Sequence, residues 1–176
     1  ELSLFLQNKA QNRTLEVLCA QVKRKSGCIL SEFESKNILR SIGVPVPSQK
    51  LVTNRTGLTE TLKDMRFPLV FKINSPDIPH KSDAGGVKLG VKDETEAASA
   101  WDEIILDVSK HVPGARFDGI LVQEMAPEGI EMIMGVVNDV QFGTMFLVGT
   151  GGRFVEVFED VALYPLPLSP PEASEM

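Results

Sequence analysis

Apolar residues recur with the spacing of an amphipathic helix in three stretches of this chain. The first stretch covers residues 12–26. The second begins at a capping box formed by Ser31 and Glu34 and stops at Gly43. The third begins with an acidic cap at Asp93 and ends before a Pro-Gly pair. We therefore predict three helices, and residues 172–176 have the pattern of the first turn of a further one.

Alternating side chains predict strands between and after these helices. Residues 69–74 form one such strand, and its second face carries Lys72 among uncharged neighbours. The return strand is expected at residues 87–91, antiparallel to the first, and residues 51–65 suggest a short strand and a short helix. Further strands are expected at residues 119–125, 130–137, 141–148 and 153–158, with a hairpin turn at Asn138 and Asp139. Strands and helices are segregated, which predicts an α+β fold without regular βαβ units.

The segment at residues 75–86 has the composition of a loop, since it is rich in Pro, Gly, Asp and Ser. Long loops inside compact domains are usually functional or mobile. Gly85 and Gly86 would let the backbone approach a polyphosphate closely. The nearby cations are Lys72, Lys81 and Lys88. A solvated surface loop is the alternative interpretation, because the spacing matches neither the P-loop nor the GxGxxG pattern.

His80 is the candidate nucleophile of this loop. It stands between Pro79 and Lys81, outside any apolar pattern. A neighbouring cation disfavours the imidazolium and leaves neutral imidazole available for attack on a phosphoryl group. An ordinary surface histidine is the alternative, and it is the commoner one at such a spacing. His111 is predicted near a helix C-terminus, where the helix dipole explains it, and it receives no role.

Two carboxylates are expected on or beside later strands. Glu124 shares a strand face with apolar residues, which costs free energy unless Lys72, a ribose hydroxyl or an adenine amine pairs with it. Glu131 follows on the next strand, and a structural ion pair is an equal alternative for either carboxylate. Gly149, Gly151 and Gly152 form a second glycine turn, between strands, and this pattern is a weak phosphate signal. The methionines of this region are predicted to be core, namely Met125, Met132, Met134 and Met145.

Composition excludes several classes of protein. The 176 residues include 43% hydrophobic residues, a globular proportion, and 18 basic against 24 acidic residues give a net charge of −6. Without a basic cluster, neither nucleic acid nor an anionic membrane is an expected partner. No apolar run reaches the roughly 18 residues of a membrane span, and the start lacks the pattern of a signal peptide, so we expect a cytoplasmic protein. Cys19 and Cys28 fit no zinc or redox spacing, and we expect reduced thiols.

The run SPDIPHKSDAGGVK at residues 75–88, preceded by VFKIN, resembles the ATP-grasp domain of the ADP-forming acyl-CoA synthetases. So do SEFESKNILRSIGVPVP at residues 31–47 and the later segments LVQEM, EMIMGVVNDVQFG and GTGGRFVEVFEDVA. Together these segments cover about residues 30–168. The histidine-containing loop separates this family from the many ATP-grasp ligases that form acyl phosphates without a phosphohistidine.

The resemblance implies an α+β ATP-grasp fold, in which two subdomains with mostly antiparallel sheets grip ATP between them. Residues 1–29 would be an N-terminal linker and helix, residues 30–123 the first subdomain, and residues 124–176 the start of an incomplete second one. The implied reaction is acid + CoA + ATP ⇌ acyl-CoA + ADP + phosphate, through a phosphohistidine. We expect this chain alone to be inactive.

The resemblance also implies roles for individual residues. His80 matches the histidine that exchanges phosphate with a CoA-ligase portion and with ADP, and Gly85 and Gly86 would be hinges of its loop. Gln123 and its neighbours would lie beside adenine. The implied nucleotide-binding residues are Lys72, Lys81, Ser82, Gly85, Gly86, Gln123, Glu124, Met125 and Glu131. Thr144 and Tyr164 depart from the family, which usually has Pro and often has Arg at these positions.

The implied cofactors are ATP or ADP and Mg²⁺, with the metal ligands mostly further toward the C-terminus and none assigned here. The implied partner is a CoA-binding domain or subunit, possibly within a homo- or hetero-oligomer. Two alternatives stay open. One is another ATP-grasp carboxylate ligase that forms an acyl phosphate, and the other is a regulatory ATP-grasp module fused to an acyltransferase. A purely structural domain would leave Lys72, His80 and the glycine pair unexplained.

Overall fold

The computed structural model describes residues 30–152 and 161–175. The chain divides into two compact units, one ending at Ala126 and the other beginning at Pro127. The sequence had placed a boundary after residue 123, and the roles of these parts as ATP-grasp subdomains stay predictions. The helix predicted at residues 12–26 and the strand predicted at residues 153–158 lie outside the described residues.

The first unit is an antiparallel sheet with helices. Its elements are α1 (Glu32–Ser41), β1 (Gln49–Val52), α2 (Arg55–Leu62), β2 (Leu69–Asn74), β3 (Val87–Val91), α3 (Glu94–His111) and β4 (Gly119–Glu124). The strand order is β1-β4-β2-β3, and each neighbouring pair is antiparallel. The predicted α+β class and the predicted β2–β3 pair are confirmed.

The helix ends follow from local chemistry. The Ser31 hydroxyl accepts a hydrogen bond from the Glu34 backbone N–H at 3.2 Å, and the Glu34 carboxylate accepts one from the Ser31 backbone N–H at 3.0 Å. This reciprocal pair is the predicted capping box of α1. At α3, the Asp93 carboxylate accepts a hydrogen bond from the Glu96 N–H at 2.8 Å. Both helix starts are therefore confirmed.

The core of the first unit lies between β2, β4 and α3. Its largest fully buried side chains include Phe71 and Ile73 of β2, Ile120 of β4 and Ile104 of α3. Residues on both faces of β2 are buried, so the strand is covered on both sides of the sheet. Lys72 is the one residue of β2 that is only partly buried.

The second unit contains a three-stranded antiparallel sheet and a short helix. Its described elements are β5 (Met132–Asp139), β6 (Gly143–Thr150), β7 (Val161–Pro165) and α4 (Pro170–Glu175), with strand order β5-β6-β7. The predicted hairpin is confirmed, although its turn lies slightly later than predicted. The Asp139 carboxylate caps that turn by accepting hydrogen bonds from the Gln141 and Phe142 N–H groups, both at 2.8 Å.

Three predictions for the second unit need correction. The strand β7 was not predicted, and α4 begins at Pro170, two residues before the predicted start. The methionines were predicted to be core, but Met132 and Met134 are 53% and 67% exposed. A single sheet with one short helix in the described part of this unit offers few side chains to cover them.

None of the described helices is long and apolar enough to cross a membrane.

Candidate functional site

The N-terminal end of the histidine loop, residues 75–86 between β2 and β3, is tied to the segment before β4. The Ser75 hydroxyl donates to the Arg116 carbonyl oxygen at 2.6 Å and accepts from the Asp77 N–H at 3.0 Å. The Asp77 carboxylate accepts from the Arg116 backbone N–H and from its guanidinium, at 2.9 to 3.0 Å. These bonds hold the chain three residues before His80.

The ion pair between Asp77 and Arg116 leads to a pH-dependent prediction. Hydrogen bonds from the Arg116 side chain, and then from its backbone, lower the pKa of Asp77 from 3.8 to about 2. A lowered pKa means that the stabilisation is fully present above pH 3.8 and is lost as the pH falls towards 2. Above about pH 5, we expect wild type to have a larger free energy of unfolding than Asp77→Asn. Below pH 3.8, we expect this difference to shrink.

Denaturant unfolding from pH 6 to pH 2.5 at constant ionic strength measures this difference. Arg116→Gln is the control, because without the guanidinium the effect of Asp77→Asn should lose most of its pH dependence. A difference between wild type and Asp77→Asn that stays constant across this range would contradict the prediction.

The C-terminal end of the loop is held by close packing at its two glycines. Gly85 has φ +69°, and a Cβ there would come within 2.7 Å of the Asp107 Cβ on α3. The Gly86 N–H donates to the Lys81 carbonyl oxygen at 2.7 Å, and a Cβ at Gly86 would come within 2.5 Å of the Ile73 side chain. These glycines are therefore required by the packing of this loop end, and their role as hinges stays a prediction.

His80 lies between these two anchored ends and is exposed to solvent. It lines a shallow pocket with the buried residues Ile78 and Ala84 and with His111 at the end of α3. The His111 Nδ1 atom lies 2.8 Å from the Asp107 carbonyl oxygen, one turn earlier in the helix. An exposed imidazole on a loop with fixed ends is accessible to a phosphoryl donor. Ser82 is also exposed, and its carbonyl oxygen accepts from the Gly85 N–H at 3.1 Å.

Three lysines surround one carboxylate beside this loop. The Glu32 carboxylate accepts hydrogen bonds from the Lys36 and Lys72 ammonium groups at 2.6 and 2.7 Å, and its other oxygen lies 3.9 Å from the Lys81 ammonium. All four side chains are 20% to 24% exposed. The structure therefore brings the predicted residues Lys72 and Lys81 to the same carboxylate, and we call these four residues the lysine cluster.

Glu32 and Lys36 of the lysine cluster were missed as site residues. Burial raises the pKa of Glu32, but the hydrogen bonds and charges of Lys36 and Lys72 outweigh it, so that the net pKa is lowered and the carboxylate is ionised. The sequence signal was the Glu-Lys pair four residues apart on a capped helix, which is a common surface pattern and suggested no site.

Lys88 does not act as predicted. Its ammonium pairs with α3, at 2.7 Å from the Glu103 carboxylate and 3.6 Å from Asp107. The hydrogen bond to Glu103 raises the pKa of Lys88 despite some desolvation. The prediction of Lys88 as a phosphate-facing charge is therefore wrong for this arrangement, since β3 directs it to the helix.

The predicted adenine-binding strand is the end of β4. Gln123 is buried, and its side-chain oxygen accepts from the Lys36 ammonium at 2.5 Å. The Glu124 carboxylate accepts from the Arg66 backbone N–H at 3.0 Å. The Lys72 ammonium pairs with Glu32 instead of with Glu124, the partner considered above. The Met125 side chain is exposed, and its N–H donates to the Pro68 carbonyl oxygen at 3.3 Å.

Glu131 belongs to the second unit and lies just before β5. Its carbonyl oxygen accepts from the Gly151 N–H at 2.7 Å, which places the second glycine turn beside it. A Cβ at Gly152 would come within 3.1 Å of the Glu131 carboxylate. Within the described residues, no group of three His, Cys, Asp or Glu side chains has the geometry to hold a metal ion.

Comparison with known proteins places this arrangement in a family. The sequence profile of the ATP-grasp domain matches residues 21–176. A solved acetyl-coenzyme A synthetase 1 of Ca. Korarchaeum cryptofilum, in complex with coenzyme A and Ca-AMPCP, superimposes with a TM-score of 0.84 and 42% identity over 90% of this chain and 69% of that chain. This chain belongs to the ATP-grasp family of the ADP-forming acyl-CoA synthetases.

Curated relatives of this ATP-grasp chain carry matching names. The beta subunit of acetate–CoA ligase [ADP-forming] I of Pyrococcus furiosus is 40% identical over 84% of this chain and 63% of its own length. The 4-hydroxybutyrate–CoA ligase [ADP-forming] of Nitrosopumilus maritimus is 34% identical over 100% of this chain and 25% of its own length. The chain thus spans between a quarter and two thirds of the length of these two relatives.

A further solved form of the Korarchaeum enzyme bears on the histidine loop. That protein was solved with coenzyme A and Mg-AMPPCP, and its phosphohistidine segment points towards the nucleotide binding site. It matches this ATP-grasp chain with a TM-score of 0.72 and 36% identity over 93% of this chain and 68% of that chain. The predicted family, the α+β fold class and its ATP-grasp type are therefore confirmed.

Proposed function

We propose that this chain is the nucleotide-binding part of an ADP-forming acyl-CoA synthetase, and that His80 carries the phosphoryl group. The observation that carries the proposal is the position of His80. It is exposed on a loop with anchored ends, and the residue after it, Lys81, belongs to the lysine cluster. A candidate nucleophile and a cation that could bind phosphate are therefore adjacent in one short segment.

The proposed reaction of His80 is the direct transfer of one phosphoryl group. A ring nitrogen of neutral imidazole attacks the γ-phosphorus of ATP, the bond to the β-phosphate oxygen breaks, and ADP leaves. The reverse transfer, from phosphohistidine to ADP, makes ATP. Ammonium groups near the phosphates offset the negative charge on the transferring group and on the leaving diphosphate.

The residues of the first unit suit a nucleotide. Lys72 and Lys81 offer ammonium groups to the phosphates, and Gln123, Glu124 and Met125 present backbone and side-chain polar groups at the end of β4, where we place the base. Ser82, Gly85 and Gly86 would line the phosphate side. Mg²⁺ bound with the nucleotide would neutralise phosphate charge.

The rest of the reaction requires a partner. The phosphoryl group on His80 would pass to a CoA-binding domain or subunit, which joins the acid to coenzyme A. The names of the relatives support this division, because the Pyrococcus protein is a beta subunit. We place the whole enzyme in the cytoplasm, where ATP and coenzyme A are available.

The test is transfer of label from γ-³²P-ATP with Mg²⁺ to the intact natural protein. The expected result is protein-bound label that is stable in base and labile in acid, and ADP formation that depends on the acid and on CoA. ADP formation that depends on the acid without any protein label would instead indicate an acyl-phosphate ligase. Nucleotide binding without label or turnover would indicate a regulatory module.

A further inference from the structure

Glu32 and Lys36 stand out because the assigned chemistry does not use them. Both belong to α1, whereas Lys72 belongs to β2 and Lys81 to the histidine loop. Glu32 thus contacts residues of α1, β2 and the histidine loop. Among the described residues, Glu32 is the carboxylate paired with all three ammonium groups.

The charges of the lysine cluster do not cancel. Counted over the described residues, three ammonium groups face one carboxylate, which leaves a surplus of two positive charges in a half-buried place. Like charges held this close repel one another unless an anion lies between them. Glu32 satisfies this need only in part, and a phosphate group with its several oxygens would satisfy it more fully.

Lys36 extends the lysine cluster towards the predicted base-binding strand. Its ammonium donates to the Glu32 carboxylate at 2.6 Å and to the Gln123 side-chain oxygen at 2.5 Å. The Lys36 ammonium thus lies between the phosphate-facing lysines and the end of β4. If the base lies at Gln123, this is the position that a phosphate contact requires.

We propose that Lys36 is a further phosphate-binding residue and that Glu32 is an intramolecular competitor, whose carboxylate and a nucleotide phosphate are alternative partners of the same ammonium groups. This inference rests on the proposed nucleotide-binding function. Its consequence is that Glu32 keeps the lysines in place and weakens polyphosphate binding, which speeds the release of product nucleotide.

The test measures binding of inorganic tripolyphosphate and of ADP by calorimetry, using the intact natural protein and its variants. For Glu32→Gln we expect about tenfold tighter tripolyphosphate binding at low salt, and a smaller gain near 1 M salt, where the Debye length is about 3 Å. Glu60→Gln is the matched control, because this exposed carboxylate of α2 pairs only with its neighbour Lys63 among the described residues, and it should bind as wild type does.

Lys36→Gln provides an independent arm, should Glu32→Gln fail to fold. We expect it to bind tripolyphosphate about tenfold more weakly, since one charge-assisted contact is lost. Unchanged or weaker tripolyphosphate binding by folded Glu32→Gln overturns the competitor role, and unchanged binding by Lys36→Gln overturns the phosphate contact. Wild type that binds neither ADP nor tripolyphosphate overturns the proposed function itself, a result distinct from the other two.

Discussion

Replacing His80 with Ala abolishes protein labelling by γ-³²P-ATP, with a loss of at least a hundredfold, on the order expected when a covalent nucleophile is removed. His80 is exposed, so its replacement should change the free energy of unfolding by no more than about 0.5 kcal/mol. Labelling and denaturant unfolding are measured on the same preparation. Loss of label without loss of stability separates a chemical role from a packing role.

His111→Ala is the matched control for this experiment. His111 is the other histidine of the chain, it lines the same shallow pocket, and its ring bonds to a helix carbonyl oxygen. The variant should keep its label. Label that survives in His80→Ala, or a destabilisation of several kcal/mol in that variant, would contradict the role of His80 as phosphoryl carrier.

Lys72→Met is expected to weaken ATP binding by about a hundredfold. Loss of one half-buried, charge-assisted contact is worth about 1.5–3 kcal/mol, and 1.4 kcal/mol corresponds to a factor of ten. The methionine keeps most of the apolar stem that packs within the sheet, so the effect reports the charge. Calorimetric titration with ATP and Mg²⁺ measures it.

Lys50→Met controls for the loss of a positive charge from the same sheet. Lys50 lies on β1, where its ammonium forms an exposed pair with Asp64 at 2.8 Å. Exposed pairs of this kind contribute little, and we expect ATP to bind this variant as it binds wild type. If the two lysine variants lose affinity equally, the effect is one of net charge and Lys72 does not contact the phosphates.

The sequence predicted those features that depend on neighbouring residues. The capping box at Ser31 and the acidic cap at Asp93 act within one helical turn, so both helix starts were correct. The turn at Asp139 was found for the same reason, because its carboxylate bonds to N–H groups two and three residues later.

The lysine cluster could not be predicted in the same way. Glu32 and Lys72 are 40 positions apart, and only the packing of α1 beside the sheet brings them within 2.7 Å. Lys88 was misjudged because the strand pattern does not reveal that α3 presents Glu103 to it. Family resemblance supplied the role proposed for His80, since an exposed histidine in a polar loop has no distinctive pattern of its own.

The burial of Ile78 limits how the histidine loop can move. Ile78 lies two residues before His80, and it is 3% exposed within the core of the first unit. A swing of the loop that carries His80 away would expose this side chain, at a cost of about 2 kcal/mol. That cost corresponds to a population of roughly one molecule in thirty with the loop swung out. A phosphohistidine carried on this loop would therefore spend most of its time in the position in which Ile78 is buried. A partner that covers Ile78 when the loop is swung out would raise the population of the swung-out loop.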